Sequence, residues 1–92
     1  MQLRARRAVT NNQRYALQLI EGYDERVKMP CFQYVLFRSN VLEALSDASA
    51  EEWRTPEHYG VVVKKGYGRP SDMEEREAIS IYENEYLRHL PA

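Results

Sequence analysis

The sequence predicts a mostly α-helical protein, with three or four helices in a single domain that spans residues 1–92. Three segments carry apolar side chains at spacings of three and four, which is the periodicity of an amphipathic helix. The chain of 92 residues has room for one modest core. Its hydrophobic fraction of 43% is also too high for a disordered chain, although 29% of the residues are charged.

The first predicted helix begins at Leu3 or at Asn11 and ends at Met29, just before Pro30. Proline stops a helix because it lacks the amide hydrogen and clashes with the preceding turn. If the helix begins at Asn11, residues 1–10 form a flexible basic arm. The apolar stripe of this helix consists of Ala16, Ile20, Tyr23 and Val27.

The second predicted helix begins at Pro30, a residue that suits the first helical position, and runs for about four turns to Leu45. The aromatic and β-branched residues 31–37 would also suit a strand. Length favours the helix, since the apolar pattern continues to Leu45 without a breaker. Ser49 and Glu52 form a capping-box pattern that opens a short turn beyond it.

For residues 55–65, the sequence does not decide between a helix and a strand. Thr55 is typical of a helix start, and Gly66 is typical of a helix end. The run Val61–Val63, in contrast, consists of strong strand formers, so a short β element is the alternative. The glycines and proline of residues 66–70 predict a loop after either element.

The last helix is predicted over Ser71 to Leu90. Ser71 and Glu74 form a capping-box pair, and acidic residues crowd the first turns as the helix dipole favours. The apolar stripe of this helix, which we expect to pack in the core or in a dimer seam, consists of Ile79, Tyr82, Tyr86 and Leu90.

No residue pattern predicts catalysis, a metal site or a cofactor. His58 and His89 do not lie near Cys31 or an acid at a metal-ligand spacing. We interpret Cys31 as a small buried residue on the inner face of the second helix. The sequence therefore predicts a protein that is not an enzyme.

The sequence also predicts a cytoplasmic location. Its one cysteine cannot form an internal disulfide, and the N-terminus lacks the apolar core of a signal peptide. No apolar run approaches the roughly 18 residues that a membrane span needs.

Charge is distributed unevenly. The first 20 residues hold four bases and no acid, whereas the chain as a whole has a net charge of −1. Such a basic segment could neutralise the phosphates of nucleic acid, although four arginines also serve as a solvated surface. A nucleic-acid-binding transcriptional regulator is therefore the alternative function, and its candidate residues are Arg4, Arg6, Arg7 and Arg14.

Protein–protein binding is the favoured function. The seven tyrosines exceed what a small core easily buries, and tyrosine is enriched at interfaces. The loop after residue 65 combines flexibility with residue types that are common at binding hot spots. We expect a regulatory or adaptor protein, phage or prokaryotic, that binds a protein partner or itself through Tyr67, Arg69, Lys64 and Lys65, with the acidic face around Glu75, Glu83 and Glu85 as the second choice.

Residues 66–79, GYGRPSDMEEREAI, resemble the segment that precedes the C-terminal helix-turn-helix in phage late-transcription regulators of the ArpU and RinA type. In that family a loop ending in a Ser-Asp pair opens an acidic helix, as Ser71 and Asp72 do here. We expect no counterpart of the family's DNA-reading helices within residues 1–92. The resemblance therefore implies transcription control through contacts with protein partners.

Overall fold

A four-stranded antiparallel sheet organises the chain, in a computed structural model that describes residues 2–12, 14–45 and 56–87. The strands are β1 (Gln2–Asn11), β2 (Tyr15–Asp24), β3 (Met29–Arg38) and β4 (Val61–Tyr67). They lie side by side in the order in which they occur in the chain, so β2 and β3 are the central strands.

The predicted mostly helical fold is therefore wrong. The first predicted helix is β1, β2 and the turn that joins them, so residues 2–11 form a strand instead of a flexible arm. Most of the second predicted helix is β3, and only its end is helical. The central strands are buried on both faces, as Leu19 and Ile20 show on consecutive positions. Burial on both sides removes the alternation by which a strand is recognised.

A tight turn connects β1 to β2. Asn12 accepts hydrogen bonds from the backbone amides of Arg14 and Tyr15 through Oδ1, both at 2.8 Å, and closes the β1–β2 turn.

Pro30 fits in β3 because its carbonyl oxygen accepts a hydrogen bond from the amide of Gly68, beyond the end of β4. The missing amide hydrogen of Pro30 would point to that same side, so the pairing of β3 with β2 loses no hydrogen bond.

Of the two alternatives for residues 61–63, the structure has the strand and not the helix, and this strand continues to Tyr67. The predicted loop is accordingly reduced to residues 68–70. Gly66 lies opposite Phe32, and a Cβ atom at Gly66 would stand 2.8 Å from the ring carbon Cζ of Phe32. A larger residue at this position would therefore displace the aromatic ring of Phe32.

Short helices cover the sheet. Helix α1 (Ser39–Ala44) and a 3₁₀ turn (Pro56–His58) follow β3, while α2 (Asp72–Ile81) continues into a π-helical segment, Tyr82–Leu87. The predicted capping box is confirmed, because Ser71 Oγ accepts from the amide of Glu74 and the Glu74 carboxylate accepts from the amide of Ser71, each at 3.2 Å. Ser49, Glu52 and Leu90 lie outside the described residues.

Two apolar clusters lie on opposite faces of the sheet. We call the side that contacts α2 the helix face and the other side the opposite face. Ala78 of α2 and Tyr82 of the π-helical segment belong to the cluster on the helix face, and Ile79 and Tyr86 pack against it. The strand residues of the helix-face cluster are Leu17, Leu19, Phe32, Tyr34 and Leu36, and the opposite-face cluster is Ile20, Val35, Phe37 and Leu45.

We expect Tyr82→Ala to lower the free energy of unfolding by about 3 to 5 kcal/mol, which is a large fraction of the roughly 5 to 15 kcal/mol that is usual for a domain. Tyr82 is 1% exposed, and its hydroxyl donates to the backbone oxygen of Tyr15 at 3.2 Å. Urea denaturation followed by circular dichroism measures the change. Met73→Ala is the control on the same helix, since Met73 is 70% exposed. Equal midpoints for the two variants would show that α2 does not pack as described.

Candidate functional site

Lys64 and Lys65, two of the predicted partner-binding residues, lie on opposite faces of β4. Lys64 pairs with Tyr34 on the helix face, and its Nζ lies 2.7 Å from Glu77 Oε2 of α2. The hydrogen bond to Glu77 raises the pKa of Lys64. Lys64 therefore attaches the helix to the sheet, whereas Lys65 is exposed and lies opposite Gln33 on the other face.

Tyr67 lies on the same face as Lys65, and Arg69 is exposed just after the strand. The side chain of Tyr67 is opposite Cys31 and is 56% exposed. Its hydroxyl donates to Asp24 Oδ2 over 3.5 Å, which is a weak hydrogen bond. The structure thus brings Tyr67 and Lys65 together, with Arg69 following in the chain, and separates Lys64 from them.

Exposed apolar side chains at the β2–β3 hairpin extend the site. Met29 is 45% exposed and shares a face with Cys31, two residues along β3, which makes it a diagonal neighbour of Tyr67. Val27, in the hairpin turn, is 49% exposed. We call Val27, Met29 and Tyr67 the hairpin patch. The sequence interpretation missed the first two because Val27 fitted a helical stripe and Met29 a helix end.

A groove of about 1020 Å³ borders the hairpin patch at this end of the sheet. Within the described residues, the Oε1 atom of Gln33 is buried and accepts no hydrogen bond. Burial, followed by the negative charge of Asp24, raises the pKa of the Cys31 thiol. The thiol is therefore held in its neutral form, which is a weak nucleophile. The groove lining includes Leu3, Asp24, Cys31, Gln33, Glu57 and Lys65.

The N-terminal arginines lie on β1 and in the turn after it, and they do not form one surface. Arg7 pairs with Leu19 on the helix face, whereas Arg6 pairs with Ile20 on the opposite face. The guanidinium carbon of Arg4 lies 5.1 Å from the ring centroid of Tyr23, in a cation–π contact. Arg14 is exposed in the β1–β2 turn, at the far end of β1.

Glu75 of α2 connects the helix to two strands. Its Oε1 atom accepts hydrogen bonds from Arg7 Nη2 and from the hydroxyl of Tyr34, the latter at 3.2 Å. Tyr34 is fully buried. Burial, and then the negative charge of Glu75, raise the pKa of Tyr34 far above its usual value.

Among the described residues, no group of three or more His, Cys, Asp or Glu side chains is placed to hold a metal ion. His58 is exposed in the 3₁₀ turn, while His89 lies outside the described part of the chain. None of the helices in the described ranges is long and apolar enough to cross a membrane.

Searches against protein-family models, curated proteins and solved structures returned no match. The assignment of a function therefore depends on the chain's own residues.

The raised pKa of Tyr34 predicts an alkaline loss of stability. Below pH ~10, the usual pKa of tyrosine, this side chain is neutral in both states and its contribution is complete. Above that pH the unfolded chain ionises first, so the free energy of unfolding falls as pH rises. We expect Tyr34→Phe to lose less stability than the wild type between pH 8 and 11.

The loss of stability is measured as the change in urea midpoint between pH 8 and 11, in the wild type and in Tyr34→Phe. Tyr67→Phe is the control, because Tyr67 is exposed and its loss should equal that of the wild type. An equal alkaline loss in Tyr34→Phe and the wild type would contradict the buried position of the Tyr34 hydroxyl.

Proposed function

We propose that this chain is a small, non-catalytic regulatory or adaptor protein that binds a protein partner through the hairpin patch. The observation that carries the proposal is that three apolar side chains, each about half exposed, come from the β2–β3 hairpin and from the adjacent end of β4. Single exposed apolar residues are common, but a group of them bordered by charge is typical of an interaction site.

The composition of the surroundings supports a protein partner. Tyrosine and arginine are the residue types that dominate binding hot spots, and Tyr67 and Arg69 are close in sequence and exposed. Methionine adapts its shape to an apolar partner, as Met29 could at this site. Lys65 adds a positive charge that would favour an acidic rim on the partner.

The biological setting belongs to the same proposal. The resemblance of residues 66–79 to ArpU and RinA regulators supports a role in phage or prokaryotic transcription control through protein contacts. A cytoplasmic location is supported by the single cysteine of the chain.

Nucleic-acid binding remains the second candidate, now with a different set of residues. Arg14 and Arg38 line one depression beside Tyr15, and both arginines are exposed. A pair of cations beside an aromatic ring can contact a phosphate and stack on a base. Arg4 and Arg7 contribute less to this candidate, because they contact Tyr23 and Glu75 within the protein.

The first test is the double variant Tyr67→Ala and Arg69→Ala, which we expect to remain folded and to lose its partner. Both side chains are exposed, so the free energy of unfolding should change by less than about 0.5 kcal/mol. Binding should weaken by more than about 25-fold, as the truncation of hot-spot residues commonly gives. Affinity capture from a prokaryotic host with quantitative mass spectrometry identifies the partner, and calorimetry then measures the binding.

The matched control is Tyr59→Ala, because Tyr59 is also exposed, at 42%, but lies before β4 instead of at its end. A protein that is retained by the wild type and by Tyr59→Ala, and lost by the double variant, supports the hairpin patch. Equal retention by all three proteins would refute it.

Gel shifts with duplex and single-stranded DNA test the second candidate. We expect no shift at micromolar protein and ~50 mM salt, where non-specific contacts are strongest. If a shift occurs and Arg14→Ser with Arg38→Ser abolishes it, the logarithmic salt slope should be about −2, since two cations neutralise two phosphates. That result would replace protein binding as the proposed function.

A further inference from the structure

Among the described residues, β1 is an edge strand of the sheet. From Arg4 to Ala8, all five consecutive residues are exposed, although the side chain of Arg7 contacts Glu75 of α2. One side of β1 pairs with β2 and the other side ends the sheet. An edge strand presents unpaired backbone amide and carbonyl groups, which can pair with a further strand.

The part of the β1 edge that can pair with an added strand is short. Register shifts occur between Leu3 and Ala5 and again between Ala8 and Thr10. Between them, residues 5–8 pair with β2 without interruption. Bulges twist an edge away from flat pairing, so an added strand would pair over about four residues. The two alanines of this segment leave its backbone accessible to a partner.

The charges of β1 indicate what kind of strand fits. Arg6 lies on the opposite face and Arg7 on the helix face, at consecutive positions of the strand. An added strand also presents successive side chains to alternate faces. Acidic residues at neighbouring positions of that strand would therefore meet one arginine on each face. Cross-strand pairs of opposite charge stabilise such an arrangement.

The placement of the arginines on both faces of β1 disfavours two other binding partners, a second copy of β1 and a nucleic acid. A second copy of β1 would bring arginines against arginines, which is destabilising between neighbouring strands. A nucleic acid would need its phosphate contacts on one surface, whereas the cations of β1 are divided between two faces.

We propose that residues 5–8 of β1 bind an acidic, extended segment of a protein partner, which adds to the sheet as a fifth strand. This surface is separate from the hairpin patch and does not depend on it. The hydrogen bonds would come from the backbone, and Arg6 and Arg7 would select the acidic sequence. Arg7 can contribute because its side chain is 54% exposed even while it contacts Glu75.

The test is an NMR titration of the ¹⁵N-labelled full chain with a capped eight-residue peptide of sequence SEVEEVES. We expect the shift changes to concentrate at residues 4–9, with slower amide hydrogen exchange there in the complex. Three changes should each weaken binding at least tenfold: replacing every Glu of the peptide by Lys, N-methylating its central residues, and Arg6→Glu in the protein. N-methylation keeps the charge and removes the backbone donors, so it separates strand addition from simple attraction.

Arg76→Glu is the charge-matched control, since Arg76 is exposed on α2 and lies outside both β1 and the hairpin patch. It should leave peptide binding unchanged. The proposal is overturned if the N-methylated peptide binds equally well, if Arg76→Glu weakens binding as much as Arg6→Glu, or if the peptide does not bind. Shifts at β1 with a single-stranded oligonucleotide and none with the peptide would assign the strand to nucleic acid instead. A failure here would leave the hairpin patch untouched, because its variants are at Tyr67 and Arg69.

Discussion

The burial of β2 and β3 on both faces is the constraint from which the rest of the structure follows. Consecutive residues such as Val35 and Leu36 are both buried, so the sheet needs a cover on each side. Helix α2 covers one side, and Leu45, which follows α1, contributes to the cluster on the other. The hydrophobic effect is the dominant favourable term in folding, and here it is divided between two clusters that share the same strands.

Charged side chains also connect α2 to the sheet. Glu75 contacts Arg7 from β1 and Tyr34 from β3, while Glu77 contacts Lys64 of β4. Surface ion pairs contribute little stability individually. The two ion pairs connect α2 to β1 and β4, and the hydrogen bond from Tyr34 connects it to β3. The basic start of the chain and its acidic last third are thus complementary within the molecule.

The two exposed surfaces, the hairpin patch and the edge of β1, differ in polarity and charge. The hairpin patch is apolar with a mixed charged border, and it suits a partner that contributes apolar contact area. The edge of β1 is basic and offers backbone hydrogen bonds. One chain could therefore contact a folded surface at one site and an extended acidic segment at the other. Two weak sites on a linked partner would give higher affinity than either alone, which suits a small regulatory protein.

Only the local features of this fold could be read from the sequence. The capping box of Ser71 and Glu74 is set by residues three positions apart, and the strand at Val61–Val63 is indicated by its β-branched side chains. The sequence also placed Tyr67 in the candidate binding site, and this residue is exposed, although on a strand instead of in a loop. The central strands were mistaken for helices because burial on both faces erased their alternation. The contact between Arg7 and Glu75 joins residues 68 positions apart, and no local pattern encodes it. It arises only when the hydrophobic clusters bring α2 onto the sheet, because that packing decides which distant charges meet.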